Sequence, residues 1–236
     1  MFLTTFEEAN RGLLIVQGIY DILPVALFMI GSVILLRSLY GKMVKGCYCL
    51  LAAGSIMVFS AGLLKAFHKI FMGMLRIDYV ILDKQFTPTQ SIGFLLLFLA
   101  LIGMFTSKNK DHVNKEKLSV ISLPLFILAL DESVKEGSTL NTFSNPWPFL
   151  SMMIIGAAGF LILLILISIK MKLKIAPVLF GLSVLFMIGM GYLSTMRTFE
   201  GAWMQISCNV LYQSTYMAGC LLLKKNHLDT VAIFNK

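Results

Sequence analysis

Long apolar runs fill this chain, and short polar segments separate them. The runs are continuous rather than alternating, which is typical of transmembrane helices and not of barrel strands. They predict seven spans, near residues 12–36, 46–67, 88–106, 116–133, 147–169, 175–196 and 202–223. Six of them have at least 19 residues, close to the ~20 that cross about 30 Å of hydrocarbon. We therefore expect an all-α membrane protein: one integral membrane domain, residues 1–236, built as a bundle of seven transmembrane helices.

Loop charge decides whether the short fourth segment also crosses. Its uncharged core, residues 118–130, contains Pro124 and covers only about 20 Å at ~1.5 Å per residue. With seven spans, 13 of the 20 basic residues fall on one side, which the positive-inside rule assigns to the cytoplasm. Without the fourth span, the lysines at 170, 172 and 174 would move to the outside. The charge pattern thus favours seven spans, with the N-terminus outside and the C-terminus cytoplasmic.

Composition agrees with this class, since 58% of the residues are hydrophobic and 14% are charged, with a mean hydropathy of +0.84. The net charge of +8 reflects membrane orientation, because the lysines are divided among several short segments instead of forming one patch. We therefore expect the lipid bilayer, and no nucleic acid, among the partners, and a location in the cell (plasma) membrane. The four cysteines lack the spacing of a disulfide framework or a zinc site.

A faint internal repeat relates the two halves of the chain. After a shift of 127 positions, Lys45, Gly54, Phe59 and Gly62 coincide with Lys172, Gly181, Phe186 and Gly189. Segments one to three would then match segments five to seven in the same orientation, with segment four as linker. This arrangement resembles the 3+1+3 parallel repeat of SWEET-type transporters in topology alone, and implies nothing about a sugar substrate. Chance identity between apolar helices is the alternative.

The predicted outer loop, residues 69–87, mixes apolar and charged side chains. One interpretation is an amphipathic segment that lies among the lipid headgroups. The other is a lid that folds over the bundle.

Polar and ionisable side chains within spans are costly and so indicate function. Here they gather near the outer ends of the spans, where they predict an outward-facing polar cavity. The candidate ligand-binding residues are Asp21, Lys65, His68, Gln90, Arg197, Gln205, Asn209 and Tyr212. Asp21 must be paired, protonated or hydrated, and Lys65 and Arg197 are its candidate partners. A structural ion pair is the alternative to a proton- or ligand-coupled site.

The last span carries the best-defined polar stripe. At 100° per residue, its amides and tyrosines fall within an arc of about 100°, comprising Gln205, Asn209, Tyr212, Gln213 and Tyr216. Such a face should point into the bundle and contact a ligand. The alternative is that the amides only bond neighbouring helices together.

The favoured function is binding and transport of a small polar or anionic molecule through this cavity, with Asp21 as the proton- or ion-coupling group. Alternatives are a seven-helix receptor or sensor that acts through a partner, and an accessory subunit whose polar residues face another membrane protein. An intramembrane enzyme is the least favoured class, because no haem, zinc or nucleophile pattern occurs at membrane depth. We expect no cofactor.

Overall fold

The computed structural model describes residues 11–75, 78–106, 147–193, 196 and 198–226. The regular structure within these ranges is helical, and the six helices are α1 (Arg11–Leu39), α2 (Lys45–Leu75), α3 (Val80–Thr106), α4 (Trp147–Lys170), α5 (Ile175–Leu193) and α6 (Phe199–Lys225). The predicted span 116–133 and Arg197 lie outside the described residues.

Five of these helices, α1 to α5, are long and apolar enough to cross a membrane. This confirms the expectation of a multi-pass helical membrane protein. Helix α6 is as long as α3, with 27 residues, but its amides and tyrosines make it less apolar. Thr198 is its N-cap residue, and the Thr198 side chain accepts a hydrogen bond from the Gly201 N–H in the first turn.

The helices pack in a ring that follows the chain. Each helix contacts the next, and α6 returns to contact α1. Within the units α1–α3 and α4–α6, successive helices are antiparallel; for example, Val25 of α1 meets Gly62 of α2, and Ser183 of α5 bonds Thr215 of α6.

The two pairs that join these units are parallel. Along α3 and α4, Ser91 bonds the Phe149 carbonyl, and further on the Lys170 ammonium lies over the Phe105 ring. Along α1 and α6, Tyr20 packs on Trp203, and Tyr216 follows at the level of Ser32. Helices α3 and α4 therefore both begin at the same end of the bundle.

Charge divides the bundle into two halves. We call the half that contains the α2–α3 connection the polar half, and it holds all four acidic side chains of the described residues, Asp21, Asp78, Asp83 and Glu200. We call the other half the basic half. Its eight basic residues are exposed, and none of the described residues there is acidic; they are Arg37, Lys42, Lys45, Lys170, Lys172, Lys174, Lys224 and Lys225.

Glycines bring the backbones of α2, α3 and α4 into direct contact. A Cβ on Gly54 would lie 2.7 Å from the Gly93 carbonyl oxygen, and one on Gly156 would lie 2.7 Å from the Leu95 nitrogen. Small residues at such interfaces are the usual device for close helix packing in membranes. In α5, by contrast, a Cβ on Gly181 or Gly189 would meet nothing within 4 Å. The α2–α3 and α3–α4 contacts are therefore tight, whereas these two α5 glycines face open space.

The predicted outer loop at 69–87 is wrong for the described residues. Helix α2 continues to Leu75 and α3 begins at Val80, so most of this segment is helical and continues the two flanking helices. The additional turns of α2 are held by packing, since Ala66 and Ile70 lie directly against Gly18 of α1. Tertiary contact thus extends a helix that a mixed apolar and charged sequence did not predict.

Candidate functional site

Five aromatic side chains meet in the middle of the bundle. Tyr216 is 2% exposed, and its ring centroid lies 5.7 Å from that of Phe28, 6.0 Å from Phe160 and 6.4 Å from Phe180. Phe94 packs edge-on against Phe28 at 6.2 Å. We call this set the aromatic layer; it draws one ring from every helix except α2.

Tyr216 fits this layer because a glycine faces it. A Cβ on Gly31 would lie 2.7 Å from Cε1 of Tyr216, so a larger residue would collide with the ring. The Tyr216 hydroxyl lies 3.3 Å from Oγ of Ser32, close enough for a hydrogen bond. The polar tip of the tyrosine is therefore satisfied inside the bundle.

The interior from the aromatic layer to the end of the basic half is apolar. Its large buried side chains include Leu35, Leu39, Leu101, Leu164 and Leu223. Ser32 contacts Tyr216, and the other buried serines at or beyond this level each donate to the carbonyl four residues earlier in their own helix; these are Ser38, Ser55 and Ser168. The polar path past Tyr216 that a carrier requires is thus not formed by the described residues.

On the other side of the layer the interior becomes polar. Gln17 and Asp21 are buried, and they share one stripe of α1 with Phe28 and Ser32 through spacings of four and seven residues. Because Phe28 and Ser32 face the bundle interior, Gln17 and Asp21 do so as well. Gln17 was missed by the sequence analysis, although its position four residues before Asp21 is a usable signal.

Asp21 forms an ion pair with Lys69 and not with the expected Lys65. The distance from Lys69 Nζ to Asp21 Oδ2 is 2.5 Å, and the side chains are 22% and 12% exposed. The expectation was wrong because Lys69 was placed in a loop, whereas α2 continues and presents Lys69 one turn beyond Lys65. The pair is well shielded but retains some access to solvent.

Lys65 is a cation that forms no ion pair within the part of the chain that the structure describes. Its Nζ lies 4.4 Å from the Phe86 ring centroid, a cation–π contact with α3. It lies within electrostatic range of Lys69, Asp21 and Asp83, yet it makes no hydrogen bond or ion pair with any described residue. A half-buried ammonium in this state is well suited to bind an anionic group.

Two prolines add free acceptors to the same half. Pro24 lies inside α1 and Pro88 inside α3. Proline has no N–H, so the carbonyls of Tyr20 and Lys84, four residues earlier, lack their usual helical donors. One freed carbonyl therefore lies on each of the helices that flank Lys65.

The other predicted residues are distributed around this centre. His68 Nε2 lies 2.9 Å from Asp78 Oδ1, in a separate and more exposed pair near the α2–α3 connection. Gln90 lies one turn before Phe94 on α3, and Gln205 and Asn209 lie on α6; all three are half-buried and make no side-chain hydrogen bond to a described residue. No hydrogen bond joins these amides to Lys65 or Asp21.

Burial on α6 agrees with the periodicity of its polar stripe. Tyr212, Gln213 and Tyr216 are buried, and Gln205 and Asn209 are half-buried. The Gln213 side-chain oxygen is buried and has no hydrogen-bond partner among the described residues. An orphaned buried acceptor is costly and calls for a partner such as water or a ligand.

The described residues contain no cluster of three His, Cys, Asp or Glu side chains that could hold a metal ion. The polar groups that the described residues present in the polar half include ammonium groups, carboxylates, amides and the His68 imidazole. The chain matches no protein-family model, no curated protein and no solved structure.

Proposed function

We propose that this protein binds a small anionic or polar molecule in the polar half and transports it across the membrane. The observation that carries the proposal is Lys65, whose ammonium is half-buried and forms no ion pair with a carboxylate of the described residues. A carboxylate or phosphate group of the ligand would provide the missing counter-charge. The amides of Gln90, Gln205 and Asn209, which make no hydrogen bonds to described residues, would orient the rest of the molecule.

Chain direction supports a topology of seven spans. Because α3 and α4 begin at the same end, residues 107–146 must connect the basic half back to the polar half. This direction supports the fourth span that the sequence predicts near 116–133. The concentration of exposed basic residues in the basic half supports a cytoplasmic location for that half. The membrane that we propose is the plasma membrane.

The same directions support the parallel repeat. Each unit, α1–α3 and α4–α6, consists of three successive antiparallel helices in the same orientation. The parallel contacts α3–α4 and α6–α1 would be equivalent under a two-fold axis along the membrane normal, as in transporters with parallel repeats.

Transport would require the aromatic layer to open. Movement of one three-helix unit against the other would separate Tyr216 and Phe160 from Phe28 and Phe94, because these pairs belong to different units. Asp21 would couple the movement to a proton or an ion, since a ligand that draws Lys69 away leaves its carboxylate free to bind either one.

Thermal unfolding of the purified protein with a panel of small carboxylates, phosphate and sulfate tests the binding step. A ligand at about 100 times its Kd should stabilise the protein by about 2.7 kcal/mol. Lys65→Gln should abolish the shift, and Asn209→Ala should weaken it. Lys45→Gln, an exposed lysine of the basic half, serves as the matched control. A shift that survives Lys65→Gln, or the absence of a shift with every compound, would refute the proposed site.

The packed apolar interior of the basic half favours a second candidate, a sensor that binds the same ligand without passing it through. Uptake of the identified ligand into proteoliposomes separates the two. A carrier accumulates the ligand and loses uptake on Lys65→Gln. A sensor binds it with the same dependence on Lys65 but gives no flux above protein-free liposomes.

A further inference from the structure

A groove in the basic half lies between the α4–α5 turn and the end of α6. It encloses about 190 Å³ and is lined by Leu173, Lys174, Ile175, Ala176, Leu222 and Asn226. This volume is smaller than the ~300–1,000 Å³ of a complete small-molecule site. The groove therefore accommodates one part of a larger molecule.

The lining indicates the chemistry of that part. The walls are apolar, and polar atoms come from Lys174 and Asn226. The Asn226 amide already donates to the Leu222 carbonyl, so the free charge at the groove is the Lys174 ammonium. An occupant must be apolar where it is buried and negatively charged where it emerges.

The turn beside the groove is rigid. Lys172 has a φ of 57°, the N–H of Leu173 donates to the Ser168 carbonyl, and the N–H of Lys172 donates to the Ile169 carbonyl. This pair of bonds is the Schellman closure of helix α4. The position of Leu173 and Lys174 at the groove is therefore fixed before any ligand arrives.

Uncompensated positive charge surrounds the groove. Lys170, Lys172, Lys174, Lys224 and Lys225 are exposed, and none forms an ion pair with a described carboxylate. The segments 170–176 and 220–226 contain no Asp or Glu. A lysine cluster at the end of a membrane helix, beside an apolar groove, matches the chemistry of an anionic phospholipid.

We propose that this groove binds one anionic phospholipid, with a segment of acyl chain against Leu173, Ala176 and Leu222 and the phosphate at Lys174. Lys224 and Lys225 at the end of α6 add to the attraction for the headgroup. The site is independent of the ligand site in the polar half.

Thermal unfolding in detergent micelles with added lipid tests the assignment on the full chain. Phosphatidylglycerol should raise the Tm more than phosphatidylcholine with the same acyl chains. Lys174→Gln should remove most of this difference, while Lys45→Gln, an exposed lysine of the same half, should retain it. Ile175→Phe, which fills the groove mouth without changing charge, should also reduce the selectivity, and Lys174→Arg should preserve it.

Three results would overturn the proposal. Equal shifts with the two lipids would remove the preference for anionic headgroups. Equal losses in Lys174→Gln and Lys45→Gln would indicate attraction by surface charge without a site. A shift of the same size with glycerol phosphate, which has no acyl chain, would show that the groove binds a soluble anion. If Lys174→Gln does not fold, the Lys174→Arg and Ile175→Phe pair decides the question.

Discussion

Replacing Asp21 should destabilise the protein more than replacing Lys69, although the two residues form one ion pair. At 2.5 Å, the gross Coulomb attraction is about 7 kcal/mol for an effective dielectric constant of about 20. Desolvation of both ions offsets most of this attraction, yet removal of one partner of a buried pair still costs about 3–5 kcal/mol. Because the side chains are 12% and 22% exposed, water should reduce the cost of Asp21→Asn to about 2–3 kcal/mol.

Lys69→Met should cost less, about 1 kcal/mol, because the Asp21 carboxylate keeps a nearby cation in Lys65. Asp21→Asn leaves two ammonium groups in the same region without that carboxylate. The double substitution should restore part of the loss caused by Asp21→Asn alone, since it removes the uncompensated Lys69.

Reversible unfolding in mixed micelles, followed by far-UV circular dichroism as denaturing detergent is added, measures these free energies. The wild type, both single variants and the double variant form a complete double-mutant cycle. Equal costs for the two single variants, or costs within about 0.5 kcal/mol of zero, would refute the reasoning. They would mean that solvent screens Asp21 as fully as a surface residue.

Three further predictions can be checked by the same unfolding measurement. Gly54→Ala should lower the free energy of unfolding by about 1–3 kcal/mol, because the new Cβ meets the Gly93 carbonyl. Gly181 faces open space, so Gly181→Ala should change it by about 0.5 kcal/mol or less. Equal effects of the two substitutions would contradict the helix packing described above. Tyr216→Phe should lower the free energy of unfolding by about 1 kcal/mol or less, because it removes the hydrogen bond to Ser32. Tyr216→Ala should lower it by about 3–5 kcal/mol, because it also removes the buried ring. Equal losses would mean that the hydroxyl, and not the ring, stabilises the bundle. Lys172→Gly should stabilise by about 1 kcal/mol, because φ is 57° there; a loss of stability would assign the side chain an unrecognised contact.

The membrane class and the approximate positions of the described helices could be read from the sequence. Continuous apolar runs admit one solution in lipid, because backbone groups must bond within their own helix. The inward orientation of Tyr212 and Tyr216 also followed from periodicity, since a polar stripe on an apolar helix avoids lipid.

The details of the polar half could not be read in this way. The sequence assigns residues 69–75 to a loop because the longer segment 69–87 mixes charged and apolar residues. Their helical state is accompanied by contact with Gly18 of α1. The partner of Asp21 depends in turn on that extension. The pairing of Asp21 with Lys69 therefore depends on tertiary structure, because it is decided by which turns of α1 and α2 lie beside each other.

The aromatic layer could not be predicted either. Phe28, Phe94, Phe160 and Phe180 are ordinary members of apolar runs, and the chain contains 18 phenylalanines. Their selection depends on the ring order of the helices and on Gly31, which makes room for Tyr216. Sequence spacing within one helix contains no information about that arrangement.

The apolar interior of the basic half has a consequence for the energised membrane. Proton leakage requires a wire of water molecules or side chains that hand a proton from one group to the next. The buried serines available for such a wire, Ser38, Ser55 and Ser168, are each occupied by a carbonyl of their own helix. Through the described residues, then, this half of the bundle offers no chain of free hydroxyl groups along which a proton could pass in this conformation.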